Sequence, residues 1–243
     1  MPPRIARVFY VLIAVVAIAS SARAQLPTAP PLRTPPAFAA AGPVAARGAF
    51  VWLHGAYDSS LPPPAEPPII RRFAASGWDI WRFDRTTGHD PVGLGGDQLI
   101  LGLQGLRAGG YKRIIVGGHS RGAFIALNAL RVPGLADGYL LASPAAHGPR
   151  TDRRAQAMAD FNALLNAAVP APGGRIASLQ FADDPLDPDP SQRRAAMEAM
   201  AKRTGLRLLS IFAPREPRGH LGIYDGDFDR LFGAELSGFL TPP

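Results

Sequence analysis

Short apolar runs alternate with longer segments that are apolar on one face only, and this pattern runs through most of the 243 residues. Residues 49–53 (Phe50, Val51 and Trp52 among them), 113–116, 138–142, 175–181 and 206–212 are nearly continuous apolar runs. Residues 78–83 alternate apolar and polar. Between these runs lie residues 66–76, 98–108, 122–130, 152–168, 191–203 and 225–240, whose apolar residues recur at helical spacing, such as Met158, Phe161 and Leu165. Strands buried on both faces read as unbroken apolar runs, and a helix between each pair brings the next strand back parallel. The expectation is an α/β three-layer sandwich: a mostly parallel sheet of about six or more strands with helices on both faces.

One turn within this pattern carries chemistry. Gly118-His119-Ser120-Arg121-Gly122 fits G-x-S-x-G, with strand 113–116 before it and a helix after it. Gly117 and Gly118 are expected to break that strand. A serine on so tight a strand-to-helix turn needs small residues two positions before and two after it. The turn lifts its hydroxyl above the sheet edge, at the helix N-terminus, where a developing negative charge is favoured. The competing reading is a Gly-rich turn with a capping serine.

A hydroxyl nucleophile needs a base, and the base needs an orienting carboxylate. His147 and His220 follow Ser120. His220 sits after the last predicted strand and before the closing helix, on the carboxyl side of the sheet, and is the candidate base. His147, after strand 138–142, would reverse the order of acid and base along the chain. The acid is expected after strand 175–181, where Ala182-Asp183-Asp184-Pro185-Leu186-Asp187-Pro188-Asp189 offers four carboxylates. Asp184 precedes a proline that holds it extended and is the first choice; Asp187, also before a proline, is the alternative. Oxyanion donors are expected from the Arg121 amide and from the loop after the first buried strand, His54-Gly55-Ala56-Tyr57, through the Ala56 amide. Tyr57 and His119 are candidates for substrate contact.

The strand-His-Gly pair, the G-H-S-x-G turn, the Asp-Pro loop and the late Gly219-His220 together resemble the α/β-hydrolase superfamily over residues 49–240. The resemblance implies that fold, a Ser120–Asp184–His220 triad, and hydrolysis of an ester, thioester or amide through an acyl-enzyme. Only one glycine follows His54, so the extended H-G-G-G loop of some lipases and esterases is missing. No clear counterpart of two leading antiparallel strands is visible unless residues 25–47 supply one. No large cap is inserted, so a minimal, open site for a small acyl substrate is expected. A non-catalytic binding module on the same fold, or an acyltransferase using the same triad, are the alternatives.

The first 24 residues read as a signal peptide: Arg4 and Arg7, then an apolar run over residues 8–19, then Ala22-Arg23-Ala24. That run is too short to span a bilayer, and the expected location is periplasmic or secreted. Residues 25–47, rich in proline and alanine, read as an arm or linker ahead of a domain at 48–243. Losing Arg4, Arg7 and Arg23 takes the formal charge from +7 to +4, spread in single arginines with no basic run, which argues against nucleic-acid binding. The absence of cysteine removes disulfides, thiolate metal sites and a cysteine nucleophile. No metal-ligand spacing or phosphate-binding loop appears: the Gly93-Leu94-Gly95-Gly96 stretch precedes the helix at 98–108 but lacks the Lys-Ser/Thr ending, and no metal or cofactor is expected. Trp52, Trp78 and Trp81 read as core residues.

Overall fold

The computed structural model describes residues 32–56, 64–85, 90–147, 151–187 and 189–242. The signal-peptide segment, Tyr57 and His89 lie outside these residues. Seven strands form one sheet: β1 Leu32–Arg33, β2 Gly48–Leu53, β3 Trp78–Phe83, β4 Ile114–His119, β5 Gly138–Ala142, β6 Arg175–Gln180 and β7 Arg207–Phe212, in the spatial order β1-β3-β2-β4-β5-β6-β7. All neighbours are parallel except β1, which runs antiparallel to β3 and comes from the proline-rich arm. The helices are α1 Ile69–Ala75, α2 Val92–Ala108, α3 Arg121–Ala126, α4 Arg154–Asn166, α5 Pro190–Thr204 and α6 Ala234–Leu240.

Alternate residues of each strand feed two cores. Ala49, Val51 and Leu53 of β2, with Val116 and Leu141, pack against Leu99 and Leu103 of α2, Phe124 of α3, Phe161 of α4 and Met197 of α5. Phe50 and Trp52 of β2, with Ile80, Ile115 and Leu140, pack against Ile69 and Phe73 of α1 and Leu236 and Leu240 of α6. The central strands are therefore apolar on both sides, and the helices divide between the two faces. Trp52 and Trp78 are core residues, and Trp81 is half-buried.

Three local expectations are corrected. Strand β4 runs on through Gly117 and Gly118, which pair with Trp52 and Leu53. A Cβ at Gly117 would come 2.8 Å from Phe50 Cζ, so glycine here makes room for the rings of β2 rather than ending the strand. The Gly93-Leu94-Gly95-Gly96 stretch forms the first turns of α2. A Cβ at Gly96 would lie 2.3 Å from Asn128 Cγ, so close packing against that side chain selects glycine inside a helix. The closing helix is not continuous from 225: a π-helical turn at Asp229–Gly233 precedes α6. There the Arg72–Asp229 ion pair, 2.8 Å at its shorter contact, fills the space a side chain at Gly233 would need.

The arm is pinned by Asp79 of β3. Its buried carboxylate accepts from the Ala41 and Gly42 amides at 2.7 and 2.9 Å and from the Tyr111 hydroxyl at 2.6 Å. Asp79→Ala strands three donors and should cost about 3 kcal/mol. Urea denaturation of the two proteins measures this; a change below about 0.5 kcal/mol would contradict the anchoring role.

Candidate active site

The turn after β4 holds Ser120 at φ 55° and ψ −121°, a conformation that L-residues avoid. What permits it is proximity. A Cβ at Gly118 would lie 2.6 Å from the Gly122 carbonyl carbon, and one at Gly122 would lie 2.3 Å from the Leu53 carbonyl oxygen. Both obstacles are backbone, which cannot swing aside. Hydrogen bonds fix the turn: the Ser120 amide donates to the Ala142 carbonyl at 3.0 Å, and its carbonyl accepts from the Phe124 and Ala145 amides, each at 3.2 Å. Strain gathers along this edge of the sheet. Among the described residues, the non-glycine residues with positive φ are Ser120, Ser143, Asp183 and Ala213, which follow β4, β5, β6 and β7 respectively. Such backbone persists only where its surroundings hold it.

His220 arrives on the loop after β7. Its Nδ1 lies 2.9 and 3.0 Å from the two carboxylate oxygens of Asp184. A carboxylate accepts, so Nδ1 carries the proton and Nε2 keeps a free lone pair. The two loops are joined again by the Gly219 amide donating to the Ala182 carbonyl at 2.7 Å. Burial alone would raise the Asp184 carboxyl, but His220 and the Leu186 amide, 2.8 Å away, hold it below the usual carboxylate range. Ser120 and His220 line one cavity of about 550 Å³, together with Ala56, Arg121, His119 and Tyr224.

The four carboxylates of the acid loop have separate partners. Asp183 pairs with Arg218, Asp184 with His220, Asp187 with Gln180 and Arg193, and Asp189 with Arg154. Asp187, the alternative acid, is thus engaged away from His220. Its partner Arg193 is buried, spans to the Pro144 carbonyl, and lies over the ring of Phe161 at 5.3 Å. His147 instead meets Asp160 of α4 at 2.9 Å.

The His54-Gly55-Ala56 loop passes against the elbow: a Cβ at Gly55 would sit 3.3 Å from Ser120 Cβ. The Gly55 carbonyl is held from two sides. His54 Nδ1 donates to it at 2.7 Å, and Arg85 Nη2 donates at 3.0 Å. His54 Nε2 in turn accepts from the Arg85 amide at 3.2 Å. In a trans peptide the next N–H points opposite to the carbonyl, so pinning this oxygen fixes the direction of the Ala56 N–H. The Arg85 side chain is fully buried, and Asp90 links it at 3.3 Å to Arg121 at 3.2 Å. Sequence reasoning did not find Arg85. A single arginine just past a strand end carries no motif, and only its closeness to the His54 loop in space reveals its part. Leu186 and Tyr224, also on the cavity wall, were missed for the same reason.

Among the described residues no group of His, Asp or Glu side chains could hold a metal ion. No helix among them is long and apolar enough to cross a membrane.

The chain has the α/β-hydrolase fold, with its mostly parallel curled sheet and β1 as the antiparallel strand. Solved structures sharing it include an esterase of Pyrococcus furiosus, 17% identical, with 82% of this chain and 86% of that chain covered and a TM-score of 0.54. An esterase of Thermogutta terrifontis solved with butyrate bound is 19% identical, with 87% and 90% covered and a TM-score of 0.56. A dipeptidyl peptidase 4 of Porphyromonas gingivalis is 13% identical, with 86% of this chain and 32% of that chain covered and a TM-score of 0.57. No family model matches the sequence, and no curated protein matches it.

Burial depresses two histidines at this edge, His54 and His119, each to about 4. Both are neutral in the folded protein at pH 7 and take up a proton more readily on unfolding. Their contribution is therefore complete above about pH 6.5 and is lost as pH falls toward 4, at roughly 1.4 kcal/mol per pH unit for each. Denaturation midpoints measured from pH 7 to 4 should fall across that window, and His119→Gln should flatten the fall.

Proposed function

We propose that the protein is an exported serine hydrolase that cleaves carboxylic esters of short or medium acyl chains through an acyl-enzyme. The observation that carries this reading is the His220–Asp184 contact at 2.9 Å, made beside a strained Ser120 on the wall of the same cavity. Ser120 Oγ attacks the substrate carbonyl while His220 Nε2 takes its proton. His220 then gives the proton to the departing alcohol, and in the second half activates water in the same way. Asp184 orients the ring and stabilises its charged form. The Ala56 and Arg121 amides receive the oxyanion, the first of them aimed by the pinned Gly55 carbonyl.

The lining supports the substrate class. Ala56, Pro64, Ala65, Ala145, Ala146 and Leu186 make the wall mainly apolar, and 550 Å³ suits a modest acyl chain. The Thermogutta terrifontis neighbour with bound butyrate points to the same size range. The fold alone also accommodates peptidases, so an ester is chosen on the open, apolar cavity. Export rests on the basic, apolar and Ala-Arg-Ala succession before Gln25; the mature N-terminus of the secreted protein should be Gln25.

Nitrophenyl esters of increasing chain length test the reading. Butyrate and octanoate esters should turn over faster than the hexadecanoate. Ser120→Ala and Asp184→Asn should each lower kcat/KM about 10³-fold or more. Asp187→Asn should keep activity within about tenfold while lowering stability, because it breaks a buried pair. Full activity in Ser120→Ala would refute the mechanism.

A further inference from the structure

His119 precedes Ser120 in the elbow, and the mechanism above gives it no step. Its ring is buried between the His220 loop and the Gly55 loop. Nε2 lies 2.8 Å from the backbone carbonyl oxygen of His220. A carbonyl can only accept, so Nε2 carries the proton and donates. The His220 ring lies 4.7 Å away between centroids, and Tyr224 meets the His119 ring edge-on at 5.1 Å. On the remaining side, Nδ1 would stand 3.0 Å from a Cβ at Gly55, so the oxyanion loop runs directly against it.

We propose that His119 is a positioning residue, a strut that fixes the His220 main chain relative to the Ser120 turn and sets how closely the Gly55 loop approaches it. This rests on the hydrolase reading of the site. The need for such a strut follows from the other anchors. Asp184 holds the His220 ring at one atom, Nδ1, and the Gly219 amide ties the loop to the acid loop on the far side. Neither fixes His220 relative to β4. The bond from His119 does, because its own backbone is strand β4 and pairs with Ala142 of β5. Neutrality serves the role. Burial holds this ring uncharged down to about pH 4, so it does not compete with a protonated His220 for the Asp184 charge. A side chain at position 55 would come within 3.0 Å of His119 Nδ1 and 3.3 Å of Ser120 Cβ, so glycine lets the loop lie closest to both.

His119→Leu keeps the bulk and removes the donor, whereas His119→Gln restores an N–H near the place of Nε2. In steady-state ester hydrolysis, His119→Leu should lower kcat about 10- to 100-fold with KM within about twofold, and His119→Gln should recover most of the loss. A raised KM with unchanged kcat would make the ring a substrate wall and overturn the proposal, as would equal losses in both variants. Long-range 1H–15N NMR of the wild-type histidines provides a test that needs neither activity nor a stable variant. His119 should be the Nε2-protonated tautomer and remain uncharged at pH 5. An Nδ1-protonated ring, or titration near pH 6.5, would overturn the strut. A wild type that hydrolyses no ester would instead defeat the hydrolase reading, and the NMR result alone would then decide the strut.

Discussion

The site depends on a steric fact: nothing larger than hydrogen fits at positions 118 and 122. With backbone atoms 2.6 and 2.3 Å from where side chains would begin, strand β4 can pass into α3 in a single residue, and that residue is forced to positive φ. The serine hydroxyl is thereby carried clear of the sheet and held over the start of α3. Everything else at this edge is arranged around a point that cannot move. The loops after β6 and β7 are tied to each other by the Gly219–Ala182 and His220–Asp184 contacts, and the loop after β2 is held by Arg85.

Those ties explain why buried charge is tolerated so close to the cavity. Arg85 and Arg193 are both buried, which is costly for an isolated cation. Each is paired with a carboxylate and also donates to a backbone carbonyl of a loop at the site, Gly55 for Arg85 and Pro144 for Arg193. Their placement fits a role in fixing loop shape, since an apolar side chain of the same volume could fill the space but could not hold a carbonyl. The stiffness costs something in backbone conformation, visible as positive φ after four consecutive strands.

Much of this was legible in the sequence because the signals are local. Buried parallel strands appear as apolar runs, and six of the seven were placed to within about three residues at either end. The elbow was legible because two glycines flank a serine between a strand and a helix. The two-residue β1 carries no such signal inside the proline-rich arm. Glycine misleads at 93–96 and at 117–118, where it answers to a neighbouring side chain, Asn128 or Phe50, that sequence order does not place nearby. The acid loop shows the same limit. A following proline marks Asp184 and Asp187 among four aspartates within seven residues, but only the fold hands each of the four a different partner.

If His220 makes Ser120 nucleophilic, the imidazole governs the rate at which a fluorophosphonate modifies the protein, with the adduct located by peptide mass spectrometry. A single adduct on Ser120 is expected, forming at least 10³-fold more slowly in His220→Ala. An adduct on another residue, or an unchanged rate without the imidazole, would contradict it.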